Sequence, residues 1–190
     1  MQLVIISGRS GSGKSIALQA LEDLGYYAID NLPAMLLGSL VDELRDQGDR
    51  THLAVSIDAR NLPGALERLP SLLEELRQRK IDFQVIYLTT DARILLERYS
   101  ATRRRHPLTR DSEMTLEEAI NKEEETLEDI RDLADLLIDT SRLSVHDLRR
   151  RITDQVAHQR RDKLTLTLES FGYKRGVPLD ADLVFDVRCL

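Results

Sequence analysis

The sequence has 190 residues, 42% of them apolar, with 33 acidic and 27 basic side chains and a net charge of −6. That length suits one full domain and part of a second, and the acidic total disfavours a nucleic-acid binder on overall charge. No run of 18 apolar residues offers a membrane span, and the single cysteine, Cys189, excludes an internal disulfide and fits a reducing cytoplasm.

Met1 leads straight into LVII (Leu3–Ile6), a short β-rich run with no basic flank or cleavage pattern, so no secretion signal is expected. After GRSGSGKS (Gly8–Ser15), residues Ile16, Leu18, Ala20, Leu21 and Leu24 fit one helix, with Gly25 as its stop. A second strand is predicted at Tyr26–Ile29. Leu36, Leu37, Leu40, Val41 and Leu44 fit the next helix, with Pro33 near its start. Leu53–Ile57 reads as the third strand. Leu66, Leu69, Leu72, Leu73 and Leu76 fit a helix that Pro70 breaks or delays. Phe83–Leu88 is the fourth strand, and Ile94, Leu95 and Tyr99 mark the helix that follows Asp91. The capping pattern TLEE opens a helical segment over Leu116–Leu133. Leu136–Ile138 is the fifth strand, and SVHD (Ser144–Asp147) begins a last helix. Five near-continuous apolar runs separated by helices predict an α/β fold: about five parallel strands covered on both faces.

The pattern changes after about Arg161. KLTLTLES (Lys163–Ser170) alternates apolar and polar residues as a half-buried strand does, and ADLVFDV (Ala181–Val187) reads as another, with a loop between them. The basic stretch HQRRDK (His158–Lys163) is the expected boundary. It separates a first domain over residues 1–157 from the start of a second domain over 162–190.

GRSGSGKS satisfies G-x-x-x-x-G-K-[ST] with Gly8, Gly13, Lys14 and Ser15. Glycines at this spacing let backbone N–H groups wrap anionic oxygens, and the following helix adds its positive N-terminal end. Lys14 is placed to reach the β- and γ-phosphates and the Ser15 hydroxyl to ligate Mg²⁺. Such sites add an aspartate from a neighbouring strand. Asp30, ending YYAID, and Asp58, ending LAVSID, both fall at the carboxyl edge of the sheet, where open α/β sheets bind ligands. Asp58 in DARN (Asp58–Asn61) is the stronger candidate, whereas Asp30 suits a cap for the helix after Pro33 or a contact to an acceptor. The cluster Arg98, Arg103, Arg104 and Arg105 before His106 could clamp phosphoryl groups, meet an RNA backbone, or simply lie solvated at a helix end. Arg149–Arg151 read as a solvated face, as does the acidic run KEEETLED (Lys122–Asp129). The histidines His52, His106, His146 and His158 are scattered, so no metal cluster is predicted.

GRSGSGKS, ALEDLGYYAIDNLP, VSIDARN, YSATRRRHPL, IDTSRLSVHDL and ESFGYKRGVPLDADLVFDVR together resemble the RapZ family of nucleotide-binding RNase adapters, over the whole chain. The resemblance implies an N-terminal P-loop domain of the small-kinase type followed by a C-terminal domain. It implies binding of ATP and GTP, weak ATPase and GTPase activity at most, and presentation of a small regulatory RNA to an endoribonuclease that adjusts glucosamine-6-phosphate synthase. Carried over by residue, the ATP loop falls on Gly8, Arg9, Ser10, Gly11, Ser12, Gly13, Lys14 and Ser15. The guanine-nucleotide segment falls on Asp58, Ala59, Arg60 and Asn61. The family continues for roughly another domain, which carries its RNA-binding tail and aminosugar-phosphate site. The expected roles are Lys14 and Asp58 in catalysis and Ser15 and Asp58 at Mg²⁺, in a cytoplasmic regulator with no membrane partner. Oligomeric state is open, a homo-oligomer included. The rival reading is a small P-loop kinase acting on a nucleotide or metabolite, because LTTDARILLERYSATRR and IDTSRLSVHDL look like segments of nucleoside monophosphate kinases.

Overall fold

The structure, a computed structural model, describes residues 1–46, 52–61, 64–102, 105–109, 113–158, 170–177, 181 and 183–186. Its elements run β1 (Gln2–Gly8), α1 (Lys14–Asp23), β2 (Tyr27–Ile29), α2 (Leu37–Asp46), β3 (His52–Ser56), α3 (Leu69–Gln78), β4 (Asp82–Thr89), α4 (Ala92–Thr102), α5 (Leu116–Thr126), α6 (Glu128–Asp132), β5 (Leu136–Asp139) and α7 (Val145–His158). The five strands form one sheet in the order β2-β3-β1-β4-β5, with every pair parallel.

The apolar runs take this form because each strand is buried on both sides. Along β1, Leu3 and Ile5 face one layer with Leu37, Val41 and Leu44 of α2 and Leu69, Leu73 and Leu76 of α3. Val4 and Ile6 face the other, against Ala17, Leu18 and Leu21 of α1 and Leu148, Ile152 and Val156 of α7. Period-2 alternation therefore serves two cores rather than one core and water. Local signals set the helix ends. Gly25 ends α1 at φ +86. Pro70 lies in the first turn of α3 and gives it the late start expected. Thr115 and Glu118 form a reciprocal capping box at α5, and Leu127 divides the segment after it into α5 and α6.

The sheet order positions the site. The chain leaves β1 toward β3 and β2 and later returns to β4 on its other side, so β1 lies at the switch point whose carboxyl edge forms a crevice. Gly8 closes β1 opposite Leu88 of β4. At its φ of +135 an added Cβ would lie 2.3 Å from the Leu88 carbonyl oxygen. Because that neighbour is backbone, Gly8→Ala is expected to destabilise the chain by about 2–4 kcal/mol from strain and overpacking together. A denaturant midpoint within error of the wild type would contradict this.

The predicted strand Lys163–Ser170 falls outside the described residues except for Ser170. In the other, Leu183–Asp186 carry no strand, and Leu183 and Phe185 are exposed at 75% and 76%. A strand is defined by the strand it pairs with, and the described sheet contains only β1–β5.

Candidate phosphate-binding site

The loop between β1 and α1 turns through left-handed glycines, Gly11 at φ +88 and Gly13 at φ +109. Gly13 is also the residue before α1, and a Cβ there would lie 2.6 Å from Leu148 Cδ2. This curl brings Lys14 back over its own loop. Its Nζ donates to the Gly8 carbonyl at 2.7 Å and the Arg9 carbonyl at 3.1 Å. It also lies 3.5 Å from Asp58 Oδ2, with Asp58 fully buried. Burial pushes the Lys14 ammonium below its usual range, while the charges of Asp58 and Glu123 oppose that shift.

Asp58 reaches this position because β3 lies beside β1: Ile6 pairs with Ser56, and the Ile57 N–H donates to the Ile6 carbonyl at 3.0 Å. Arg60 curls back onto the same carboxylate. Its Nε lies 3.0 and 3.1 Å from the two oxygens, its Nη2 2.7 Å from Oδ2, and its backbone N–H 3.0 Å from Oδ1. Burial raises the Asp58 carboxyl, but the Arg60 hydrogen bonds and the Lys14 charge outweigh it and hold the group below the ordinary carboxylate range. Of the candidate segment Asp58–Asn61, Asp58 pairs with the loop lysine and Arg60 pairs with Asp58. Ala59 packs at the edge of the core. Asn61 joins two loops: its Oδ1 accepts from the Ala34 N–H at 2.6 Å, and its Nδ2 donates to the Leu32 carbonyl at 3.3 Å.

Asp30 does not cap the turn after Pro33, because Asn61 already binds the Ala34 N–H. Asp30 instead accepts from Ser56 Oγ at 2.5 Å and lies 4.0 Å from Arg60 Nη2. Arg98 braces the phosphate loop from α4. Its Nη1 donates to the Gly11 carbonyl at 2.8 Å and its Nη2 to the Thr140 carbonyl at 2.7 Å. Thr140 Oγ1 adds a bond to the Ser12 carbonyl at 2.8 Å. Helix α4 and the end of β5 thereby hold the outer carbonyls of the phosphate loop, leaving its N–H groups to other partners. Arg103 and Arg104 lie outside the described residues, and Arg105 is exposed. Arg149 and Arg150 make surface ion pairs with Asp23 and Asp147.

Glu123 and His106 were not singled out together by the sequence. The run Lys122–Asp129 is not wholly an exposed face: Glu123 is 1% exposed. Its two oxygens accept from the Ser10 N–H and the Ser10 hydroxyl, each at 2.8 Å. His106 Nε2 lies 3.1 Å from Glu123 Oε2. The Leu108 N–H donates to His106 Nδ1 at 3.2 Å, so the proton of the neutral ring belongs on Nε2 and is donated to Glu123. The signal was in the spacing: Glu123 falls at a buried-face position with Ala119, Ile120 and Leu127, all buried.

The loop fits a nucleotide triphosphate tail. Its glycines have the backbone freedom a phosphate cradle needs, Lys14 is fixed within it, and Ser12 Oγ is buried with no hydrogen-bond partner among the described residues. The donor set fits Mg²⁺ carried in by phosphates better than a preformed metal cage. Among the described residues no group of three or more His, Cys, Asp or Glu is arranged to hold a metal, and the Asp58 oxygens already serve Arg60 and Lys14. The exposed Ser15 hydroxyl is the direct ligand such an ion would take. No helix among the described residues is long and apolar enough to cross a membrane.

Comparison with known proteins places these features among relatives. Residues 1–160 match the RapZ-like N-terminal domain, and residues 164–190 match the RapZ C-terminal domain. The chain is 74% identical over 191 residues to a nucleotide-binding protein of Chromohalobacter salexigens, covering 100% of this chain and 64% of that one. It is 54% identical over 192 residues to a nucleotide-binding protein of Pseudomonas putida, covering 100% of this chain and 67% of that protein. The chain thus spans about two thirds of the length of these curated relatives. Among solved structures, shikimate kinase from Bacteroides thetaiotaomicron aligns with a TM-score of 0.52 at 13% identity, covering 82% of this chain and 98% of that one. Shikimate kinase from Acinetobacter baumannii, in complex with shikimate, aligns at 0.51 and 20% identity, covering 83% and 93%. At these identities the likeness establishes the fold: a P-loop sheet of the small-kinase type.

Proposed function

The chain belongs to the RapZ-like family, and from that premise we propose that it is a nucleotide-binding regulator whose loop Gly8–Ser15 holds the phosphates of ATP or GTP. The observation that carries this reading is Lys14, buried inside a glycine-turned loop and paired with Asp58 from the adjacent strand. The relatives' description as nucleotide-binding proteins supports it. In this reading Lys14 stabilises phosphate charge and Ser15 ligates Mg²⁺. Asp58 holds Lys14 and the water shell of the ion. Asp58, Ala59, Arg60 and Asn61 form the segment that meets a guanine nucleotide.

Turnover is slow in this reading. Asp58 is held in its charged form by Arg60 and Lys14, so it is a weak acceptor for the proton of an attacking water. The nucleotide then acts as a signal: its occupancy biases the placement of the second domain, which begins in 162–190, and so controls delivery of a small regulatory RNA to an endoribonuclease. A switch of this kind requires that nucleotide bind the two arrangements with different affinity.

The test is nucleotide hydrolysis by the purified chain, with ATP or GTP, alone and with a panel of nucleoside monophosphates and sugar acceptors. The expected result is slow turnover that no acceptor changes. An acceptor that raises turnover toward ~1–100 s⁻¹ and emerges phosphorylated would make this a small kinase instead.

A further inference from the structure

Glu123 lies on α5, on the face that buries Ile120 and Leu127, and its carboxylate is almost fully shielded from water. A buried carboxylate needs donors to offset its lost hydration. Among the described residues it has three donors: the N–H and the hydroxyl of Ser10 belong to the phosphate loop, and the third is His106 Nε2. A loop shaped to give its N–H groups to phosphate oxygens is thus giving one to a carboxylate of its own chain. The next residue repeats the attachment: Glu124 Oε2 lies 2.9 Å from Arg9 Nη1, while Arg9 also donates to the Thr90 carbonyl. Consecutive glutamates of α5 therefore fasten the helix to consecutive residues of the loop. The Glu123 charge extends into the site and is felt at Lys14 and Arg60.

We propose that Glu123 sets the nucleotide affinity of this site, as a resident anion with which an incoming phosphate competes for the Ser10 donors. The inference rests on the reading of Gly8–Ser15 as a nucleotide loop and adds to it a residue outside the motif. Like charges brought to one loop repel, so phosphate entry and the Glu123 contact oppose each other, and nucleotide occupancy loosens α5 from the loop.

The experiment is a calorimetric titration of MgATP and MgGTP into four chains: wild type, Glu123→Gln, Glu123→Asp and Lys14→Ala. Glutamine keeps the shape and one accepting oxygen but removes the charge. Glu123→Gln is expected to bind at least about tenfold more tightly than wild type, and Glu123→Asp, which keeps the charge, to show no such gain. Equal or weaker binding by Glu123→Gln, with binding lost only in Lys14→Ala, overturns the inference and leaves the nucleotide site standing. No binding by either wild type or Glu123→Gln overturns both. If Glu123→Gln does not fold, amide exchange of the wild type decides: saturating MgATP should speed exchange over residues 116–126, and unchanged exchange there contradicts the proposal.

Discussion

Asp58→Ala is expected to lower the unfolding free energy by about 3–5 kcal/mol, the usual cost of breaking a buried ion pair from one side. Asp58 is fully buried and is the close counter-ion of Lys14. It also anchors Arg60 at 2.7 Å. Without it the Lys14 ammonium stays enclosed with two carbonyl oxygens and no adjacent carboxylate, while Arg60 can swing into water. Denaturant unfolding should show a lower midpoint with an unchanged slope. The pH dependence has a definite sign. Because the folded-state pKa of Asp58 is held below its unfolded value, its contribution is present above the unfolded carboxyl range. It is lost as pH falls through the folded pKa. Asp58→Asn should therefore lose stability less steeply with acid than the wild type. Equal slopes below pH ~4, the ordinary Asp range, would show that Asp58 is not the group that stabilises the charged pair.

Lys14→Ala should have the opposite profile. Nucleotide turnover is expected to fall by about 10²–10³, the loss seen when one preorganised group that stabilises transition-state charge is removed. Stability should change much less than in Asp58→Ala. Asp58 keeps three side-chain contacts and a backbone N–H from Arg60, so its carboxylate is not left without a partner. Burial already disfavours the Lys14 ammonium in the folded chain. The contrast separates a residue kept for function from one that also holds the fold. If Lys14→Ala unfolds as readily as Asp58→Ala, Lys14 is chiefly structural.

The strands were legible because each is an apolar run whose alternate residues enter different cores, as Leu3 and Val4 do. The phosphate loop was legible because its chemistry permits few residue types at fixed spacing. Partnerships across the sheet were harder to read. Asn61 rather than Asp30 binds the Ala34 N–H because β2 lies beside β3, and no local pattern states that neighbour relation. The charge of Arg98 was visible, but its use on the Gly11 carbonyl depends on where β4 places α4. Glu123 was hidden by acidic residues on either side, although its position relative to Ile120 and Leu127 marked the buried face. In each case the residue type was apparent and its partner was set by tertiary contact.

The loop around Lys14 is expected to bind a nucleoside triphosphate. Titration of the wild-type chain with ATP and with GTP, with and without Mg²⁺, tests it most directly. The expected result is saturable binding at one site for at least one of the two, strengthened by Mg²⁺ and lost in Lys14→Ala. Binding that survives intact in Lys14→Ala, or no binding of either nucleotide by the wild type, would contradict it.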